Sequence, residues 1–202
     1  MFPWDKFSEE KLKKIFTEKN TIVDIGGGLR VDGDKNNRLE EKYAWLKEYI
    51  AKVDYKVLDK VPDYHPDIVG DVQNLNFADN SVDAFICIAV LEHVEEPQKA
   101  VKEMWRALKP GGYCFIYVPF LYYYHPLENY YRDFYRFTLD GVKYITRDFT
   151  TVEIQNVRGS LSTVANLLPF FSKRTKFFDW VDKIIGKDKS KQTSGFNIFC
   201  VK

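Results

Sequence analysis

The most informative stretch of this chain is Thr21-Ile-Val-Asp-Ile-Gly-Gly-Gly28. Its apolar members Ile22, Val23 and Ile25 predict a short buried strand, and the three glycines predict a turn where that strand ends. Glycine permits a sharp turn and lets a ligand approach the main chain, because it carries no Cβ atom. Open α/β sheets form nucleotide-binding crevices in this way, although a simple connecting turn has the same composition. The segment alone leaves both interpretations open.

The composition is that of an ordinary globular protein, with 45% hydrophobic and 29% charged residues. At 202 residues the chain is long enough for one domain with a substantial core, and short for two. The formal net charge of +1 gives no reason to expect nucleic-acid binding, which usually accompanies a basic surplus.

The cysteines and the N-terminal residues favour a cytoplasmic location. Cys87, Cys114 and Cys200 each lie inside an apolar run without metal-ligand spacing, so we expect buried reduced thiols and no metal site. No apolar run approaches the roughly 20 residues of a membrane span. Residues 1–20 are charged and helix-like rather than typical of a secretory signal.

Predicted strands and helices alternate as far as residue 118, which favours a parallel sheet with helices on both faces. The predicted strands are 21–25, 56–59, 67–72, 82–90 and 113–118, and the predicted helices are about 8–19 (capped by Ser8), 39–51 and 95–108. Lys109-Pro-Gly-Gly112 predicts a break between the last helix and strand. Further on we expect a helix, a strand at 151–157, a helical stretch at 161–185 and a last strand at 196–201.

Five segments in one order carry a resemblance to a known family. They are Val23-Asp-Ile-Gly-Gly-Gly28, Val57-Leu-Asp59, Gly70-Asp-Val72, Ala89-Val-Leu-Glu-His-Val94 and Leu108-Lys-Pro-Gly-Gly112. Over residues 20–120 the chain resembles the class I S-adenosylmethionine-dependent methyltransferases, particularly those that act on small molecules. The resemblance implies a doubly wound, Rossmann-like α/β fold whose seven-stranded sheet is mostly parallel with an antiparallel last strand. Residues 1–202 would then be one methyltransferase domain, with an aromatic lid or acceptor region at about 119–138 and 160–190.

The resemblance also implies S-adenosylmethionine as the cofactor. Gly26 and Gly28 would line its methionine and ribose parts, and Asp59 would accept from the ribose hydroxyls, as strand-end acids do in dinucleotide folds. Asp71 and Val72 resemble the pair that holds the adenine. The full cofactor set implied is Asp24, which would shape the loop, Gly26, Gly27, Gly28, Asp59, Asp71, Val72, Ala89 and His93. For Asp59 and Asp71, an ordinary acid at the end of a strand or in a turn remains the alternative.

Two departures concern the glycine loop. Arg30 follows Gly28 where the family has a third glycine, and about thirty residues separate the glycines from Asp59, against roughly 20 in a compact dinucleotide unit. Arg30 would contact the cofactor carboxylate or lie at the surface. A nicotinamide-binding site competes weakly, because Val31 occupies the third glycine position of its fingerprint.

The acceptor region is dense in aromatic residues between Pro119 and Thr138. Asp133-Phe-Tyr-Arg-Phe-Thr138 resembles an Asp-Tyr-x-Arg-Phe-Thr segment of methyltransferases often associated with glycan-building pathways. His125 is the candidate catalytic base for a hydroxyl acceptor, because an unperturbed imidazole titrates near neutral pH. A hydrogen-bonded loop histidine is its alternative.

Four further residues of this region are predicted to contact the acceptor: Tyr124, Tyr131, Arg132 and Arg136. The two arginines suit a phosphate or carboxylate group, but an ion-pair cluster with Asp133 that closes the lid is equally compatible. Residues 161–191 combine aromatic and basic side chains. We expect their aromatic face to pack on the sheet; contact with a membrane surface, which would suit a lipid-linked acceptor, is the alternative.

The sequence therefore predicts methyl transfer to a small-molecule or glycan-precursor acceptor, with a hydroxyl favoured over nitrogen or carbon. A cofactor-binding protein without catalysis and a nicotinamide-dependent oxidoreductase are the alternatives. The oligomeric state stays open.

Overall fold

The computed structural model describes residues 1–29, 31, 41–168 and 170–202. Its strands are β1 (Thr21–Ile25), β2 (Asp54–Asp59), β3 (Ile68–Val69), β4 (Val82–Ile88), β5 (Leu108–Pro119), β6 (Thr151–Val157) and β7 (Gly195–Val201). Its α-helices are α1 (Pro3–Glu18), α2 (Lys47–Ile50), α3 (Pro97–Ala107), α4 (Leu139–Ile145), α5 (Ser160–Leu167) and α6 (Thr175–Ile184). Short 3-10 turns lie at Glu41–Leu46, Pro62–Tyr64, Leu91–His93 and Ser172–Arg174. Arg30 and residues 32–40 lie outside the described residues, so the prediction for Arg30 is not addressed.

The strands form one sheet in the order β3-β2-β1-β4-β5-β7-β6. Every neighbouring pair is parallel except the two pairs made by β7, which runs antiparallel to β5 and β6. This confirms the predicted doubly wound α/β fold with an antiparallel last strand. The chain leaves β1 toward β2 on one side and returns to β4 on the other. Such a switch point opens a crevice at the carboxyl ends of the strands.

Two apolar cores cover the two faces of the sheet, and β4 contributes to both. Ala84 and Ile86 pack with α1 on one face, whereas Phe85 and Cys87 pack with α3 and α4 on the other. A strand buried on both faces reads as an apolar run, which is why residues 82–88 could be recognised in the sequence. All three cysteines are buried and free, as predicted.

Several predicted boundaries differ from those of the structure, and three of the differences have a clear physical cause. Helix α1 begins at Pro3, a residue suited to the first helical turn, and Ser8 lies inside the helix, where its hydroxyl donates to the Trp4 carbonyl at 2.9 Å. Lys109–Gly112 continues β5 because Gly111 and Gly112 exchange main-chain hydrogen bonds with Lys202 at 3.0 Å. Strand β3 has only two residues, so Asp71 and Val72 follow it in a turn.

Helices α5 and α6 form a hairpin whose second helix points its polar face inward. Helix α6 buries Asp179 and Asp182, while Phe177, Trp180 and Ile184 are 59%, 55% and 63% exposed. The expectation that the aromatic face packs on the sheet was therefore wrong. The buried carboxylates explain the inversion, because they bond to groups beneath the helix and fix which side faces the protein.

Asp182, which lies on α6, caps the N-terminus of the neighbouring helix α5. Its two carboxylate oxygens accept from the amides of Leu161 (3.0 Å) and Ser162 (2.8 Å), the first turn of α5, which has no side-chain cap of its own. Gly159 makes this approach possible, since a Cβ there would lie 2.5 Å from the Asp182 carboxyl carbon.

Replacement of Asp182 by alanine is expected to destabilise the hairpin. Two amides at the start of α5 lose their acceptor, which costs about 1–3 kcal/mol. Chemical denaturation measures the loss, and Asp148→Ala, at an exposed aspartate, is the matched control. Equal unfolding midpoints for Asp182→Ala and the wild type would contradict the assigned cap.

Candidate functional site

The glycine loop turns at the carboxyl end of β1, as the sequence predicts. Gly26 and Gly27 adopt positive φ values of 74° and 58°, a conformation that suits glycine. The missing Cβ atoms also let β1 approach β4, because a Cβ on Gly26 would lie 2.6 Å from Val90 Cγ2 and one on Gly28 would lie 2.7 Å from Ile88 Cβ. The glycines are thus required by packing as well as suited to a ligand.

Asp24 supports this loop from below rather than facing a ligand. Its carboxylate accepts from the amides of Gly28 (3.2 Å) and Leu29 (3.1 Å) and from the Tyr55 hydroxyl (2.7 Å). The side chain is fully buried, and burial raises its pKa to about 6. A shaping role fits this geometry, whereas direct cofactor contact does not, because no part of the residue reaches the surface.

Asp59 and Asp71 lie at neighbouring points of the same edge. Asp59 ends β2, is half-buried, and accepts from the Val61 amide at 2.8 Å. Burial raises the pKa of its carboxyl. The Gly70 amide donates to the Asp59 carbonyl at 2.9 Å, which brings the turn with Asp71 against β2. Val72 packs into the core, so its side chain does not face this edge.

Ala89 directly follows β4 in a strained conformation. Its φ of 55° is unusual for a residue other than glycine, and its amide donates to the Tyr117 carbonyl at 3.1 Å. Backbone strain of this kind concentrates at functional sites. The glycine loop, Asp59 and Ala89 thus lie at the carboxyl ends of three neighbouring strands, which is the edge where open α/β sheets bind nucleotides.

A second group of side chains lies just beyond, after β4 and in the aromatic loop. Nε2 of His93 and Nε2 of His125 lie 4.0 and 3.9 Å from Oε1 of Glu92. Glu92 is 1% exposed, and its other oxygen, Oε2, has no hydrogen-bond partner among the described residues. Burial raises the pKa of this carboxyl to about 8. Glu92 was not among the predicted site residues, although it directly precedes His93 in the segment Ala89–Val94.

Both histidine rings are held by main-chain carbonyls. Nδ1 of His93 lies 2.6 Å from the Arg132 carbonyl, and Nδ1 of His125 lies 3.0 Å from the Tyr123 carbonyl. Because a carbonyl only accepts, these contacts favour the tautomer with the proton on Nδ1, which leaves the Nε2 lone pair of a neutral ring free. Burial lowers the pKa of His93, which favours its neutral form.

Arg136 closes the aromatic loop and is not a substrate clamp. Its guanidinium bonds both oxygens of Asp133, at 2.6 and 2.7 Å, and the carbonyls of Tyr122, Tyr123 and Tyr135. These bonds use all five of its donors. The predicted acceptor contact by Arg136 was therefore wrong, and the ion-pair alternative is correct for this residue and Asp133.

Of the other three predicted acceptor residues, Tyr131 packs its side chain against one of the two histidines, whereas Tyr124 and Arg132 are exposed. The Tyr131 ring packs on His93 with a centroid separation of 4.3 Å, so the structure brings it to the histidine pair. Tyr124 is 74% exposed, and Arg132 is exposed without an ion pair to any described residue. Arg132 therefore stands outside the Asp133–Arg136 cluster.

Comparison with known proteins agrees with this architecture. Residues 41–116 match the family model described as "Methyltransferase domain". The matched segment and the fold are similar to those of class I S-adenosylmethionine-dependent methyltransferases. A solved S-adenosylmethionine-dependent methyltransferase from Archaeoglobus fulgidus shares this fold, with a TM-score of 0.60 and 14% identity over 98% of this chain and 94% of that one.

Two curated methyltransferases match this chain over short stretches. Demethylmenaquinone methyltransferase from Paenarthrobacter aurescens (strain TC1) is 56% identical over 45 residues, which are 22% of this chain and 18% of the relative. The chloroplastic 2-methyl-6-phytyl-1,4-hydroquinone methyltransferase 2 of Oryza sativa subsp. japonica is 25% identical over 107 residues, 48% of this chain and 29% of the relative. The chain therefore spans less than a third of the length of these relatives.

Replacement of Asp133 by asparagine is expected to loosen the aromatic loop. The Asp133 side chain is inaccessible to solvent, so water cannot replace the hydrogen bonds that its charge makes with Arg136. Its carboxylate also accepts from the His125 amide at 2.8 Å. The loss of these charged hydrogen bonds costs about 2–3 kcal/mol of unfolding free energy. Denaturation and limited proteolysis of the loop measure the change, with Asp148→Asn as the control. A variant as stable and as protease-resistant as the wild type would contradict the assignment of Asp133 and Arg136 as the closure of the loop.

Proposed function

We propose that this protein transfers the methyl group of S-adenosylmethionine to a hydroxyl of a lipid-borne acceptor. The observation that carries the proposal is the edge at the β1–β4 switch point, where Gly26, Asp59 and Ala89 lie at the carboxyl ends of the adjacent strands β1, β2 and β4. In open α/β sheets a ligand bound there lies within reach of groups on the loops after β4 and β5. His93, from the cofactor set implied by the sequence, and His125 are on those two loops.

His125 is proposed as the group that takes the acceptor proton. Its Nδ1 is held by the Tyr123 carbonyl, which leaves Nε2 as the basic atom, and the ring is one-quarter exposed. In the reaction the hydroxyl proton passes to Nε2, the oxygen bonds to the methyl carbon, and the carbon–sulfur bond breaks to leave S-adenosylhomocysteine. Orientation by the protein matters most, since the sulfonium itself supplies the electrophile.

The α5–α6 hairpin supports a lipid-borne acceptor, whether a lipophilic small molecule or a lipid-linked glycan precursor. It leaves the sheet after β6, at the same edge as the loop after β5, because β6 and β5 are parallel. Its exposed apolar residues include Phe170, Phe177, Trp180 and Ile184, and Arg174 and Lys176 are exposed beside them. An apolar face bordered by basic side chains is typical of helices that lie on a lipid surface. None of the described helices is long and apolar enough to cross a bilayer.

The names of the curated relatives agree with this acceptor class. One relative is named for demethylmenaquinone and the other for a phytyl hydroquinone. The resemblance of Asp133–Thr138 to a glycan-associated subgroup stays a prediction.

Calorimetric titration with S-adenosylmethionine and S-adenosylhomocysteine tests the cofactor assignment. We expect a micromolar dissociation constant, about −8 kcal/mol, and its loss in Asp59→Ala, because the half-buried carboxylate is the proposed partner of the ribose hydroxyls. Asp54→Ala is the matched control, since Asp54 is an exposed acid at the other end of the same strand. Equal affinity in the Asp59 and Asp54 variants would contradict the proposed ribose contact.

The same titration separates the alternative functions. Saturable binding of NADH without binding of either sulfur compound would favour the oxidoreductase. Tight cofactor binding with no methyl transfer to any lipophilic hydroxyl acceptor would favour the binding protein. Turnover retained at the wild-type rate in His125→Ala would remove His125 as the base.

Sedimentation with anionic lipid vesicles tests the membrane surface. We expect the wild-type chain to bind the vesicles. The double variant Phe177→Ser with Trp180→Ser should lower the partition coefficient at least about tenfold, because two aromatic rings are no longer transferred from water to the lipid surface. The matched control is Val69→Ser with Tyr144→Ser, whose side chains are 59% and 57% exposed, against 59% and 55% for the test pair. Equal loss in both double variants, or no binding by the wild type, would contradict the proposal.

A further inference from the structure

We propose that Glu92, His93 and His125 bind one divalent first-row transition-metal cation, such as Zn²⁺, beside the cofactor edge. Each residue offers one ligand atom, and these atoms all lie within 4.8 Å of one another. Two imidazole nitrogens and one carboxylate oxygen form a donor set that suits zinc and ferrous iron and leaves coordination positions open.

The distances require only a small contraction around the cation. Bonds of about 2.0–2.2 Å hold ligand atoms roughly 3.0–3.5 Å apart. The two separations from Glu92 Oε1 are 4.0 and 3.9 Å, so side-chain movements of several tenths of an ångström close the site. The rings meet edge to face, with centroids 5.0 Å apart and an interplanar angle of 76°, which allows both lone pairs to converge.

The surroundings orient the two rings as metal-ligand histidines are oriented. Each Nδ1–H is held by a main-chain carbonyl, Arg132 for His93 and Tyr123 for His125, and this fixes Nε2 toward Glu92. Ligating histidines usually donate their other ring N–H to a carbonyl or carboxylate in this way. The His125 amide also donates to Asp133, which fixes the backbone of that ligand.

Glu92 provides an independent observation that points to a ligand. It is 1% exposed, yet its Oε2 has no partner among the described residues. A buried carboxyl oxygen without a partner is costly, and a coordinated cation would satisfy the carboxylate. The nearby Arg136 does not serve, because its donors are used by Asp133 and three carbonyls.

A cation here also defines the acceptor chemistry, and this consequence rests on the proposed function. When Nε2 of His125 holds the cation it no longer takes the acceptor proton; instead, an acceptor hydroxyl that coordinates the cation becomes more acidic and releases its proton to solvent. The resulting oxygen anion then attacks the methyl carbon, and the S–CH₃ bond breaks to leave neutral S-adenosylhomocysteine. Acceptors with two adjacent oxygens would occupy two open positions.

Metal titration of the untagged full chain tests the site without a measurement of turnover. After treatment with EDTA and dialysis, Zn²⁺ binding is followed by calorimetry and metal content, and Co²⁺ binding by its visible absorption. We expect one cation per chain and a loss of affinity of more than about tenfold in Glu92→Gln, His93→Ala and His125→Ala. His65→Ala is the matched control, because His65 is exposed and is the remaining histidine of the three in the chain. The three thiols are buried and do not compete.

Circular dichroism tests whether each variant is folded. If a histidine variant unfolds, the affinity of Glu92→Gln decides the outcome, because this substitution preserves the shape of the side chain. Absence of one-to-one binding by the folded wild type, or equal affinity in Glu92→Gln and the wild type, would overturn the proposal. Titration of Asp59→Ala and Glu92→Gln with both S-adenosylmethionine and Zn²⁺ keeps the two proposals distinguishable, because each substitution removes a ligand contact from only one of the two proposed sites.

Discussion

The close approach of β1 and β4 at their carboxyl ends is the constraint on which the site depends. Gly26 meets Val90, and Gly28 meets Ile88, at distances that leave no room for a Cβ atom. Asp24 fixes the loop from below through the amides of Gly28 and Leu29. The glycine loop therefore packs closely against the end of β4, and the turn after β4 lies directly beside the loop.

The turn after β4 positions Glu92 and His93, two of the three proposed metal ligands. Ala89 takes a strained conformation, and the 3-10 turn Leu91–His93 then delivers Glu92 inward and His93 beside it. The loop after β5 must return over this point, and the Asp133–Arg136 pair holds it there together with the carbonyls that Arg136 contacts. His125 faces Glu92 because both loops are anchored, one by strand geometry and one by an internal ion pair.

Much of the fold could be predicted from local pattern. Strands buried on both faces appear as apolar runs, and β1, β4 and β7 were recognised for this reason. Errors arose where distant residues decide the outcome. Lys109–Gly112 continues a strand because Lys202 pairs with it, and the aromatic face of α6 is exposed because Asp179 and Asp182 bond beneath the helix. Neither partner lies near in sequence.

The candidate site divides in the same way. The glycines, Asp59 and Ala89 follow strand ends, so sequence order alone places them on one edge. Glu92 was missed because its role depends on a histidine 33 positions later, and Arg136 was misassigned because its donors are consumed by carbonyls that only the folded loop presents.

A crystal structure of the chain with S-adenosylhomocysteine would locate the cofactor. We expect the ribose on Asp59, the homocysteine part against Gly26 and Gly27, and the sulfur directed toward His93 and His125. A ligand bound away from the β1–β4 switch point, or a sulfur turned away from the two histidines, would contradict this placement.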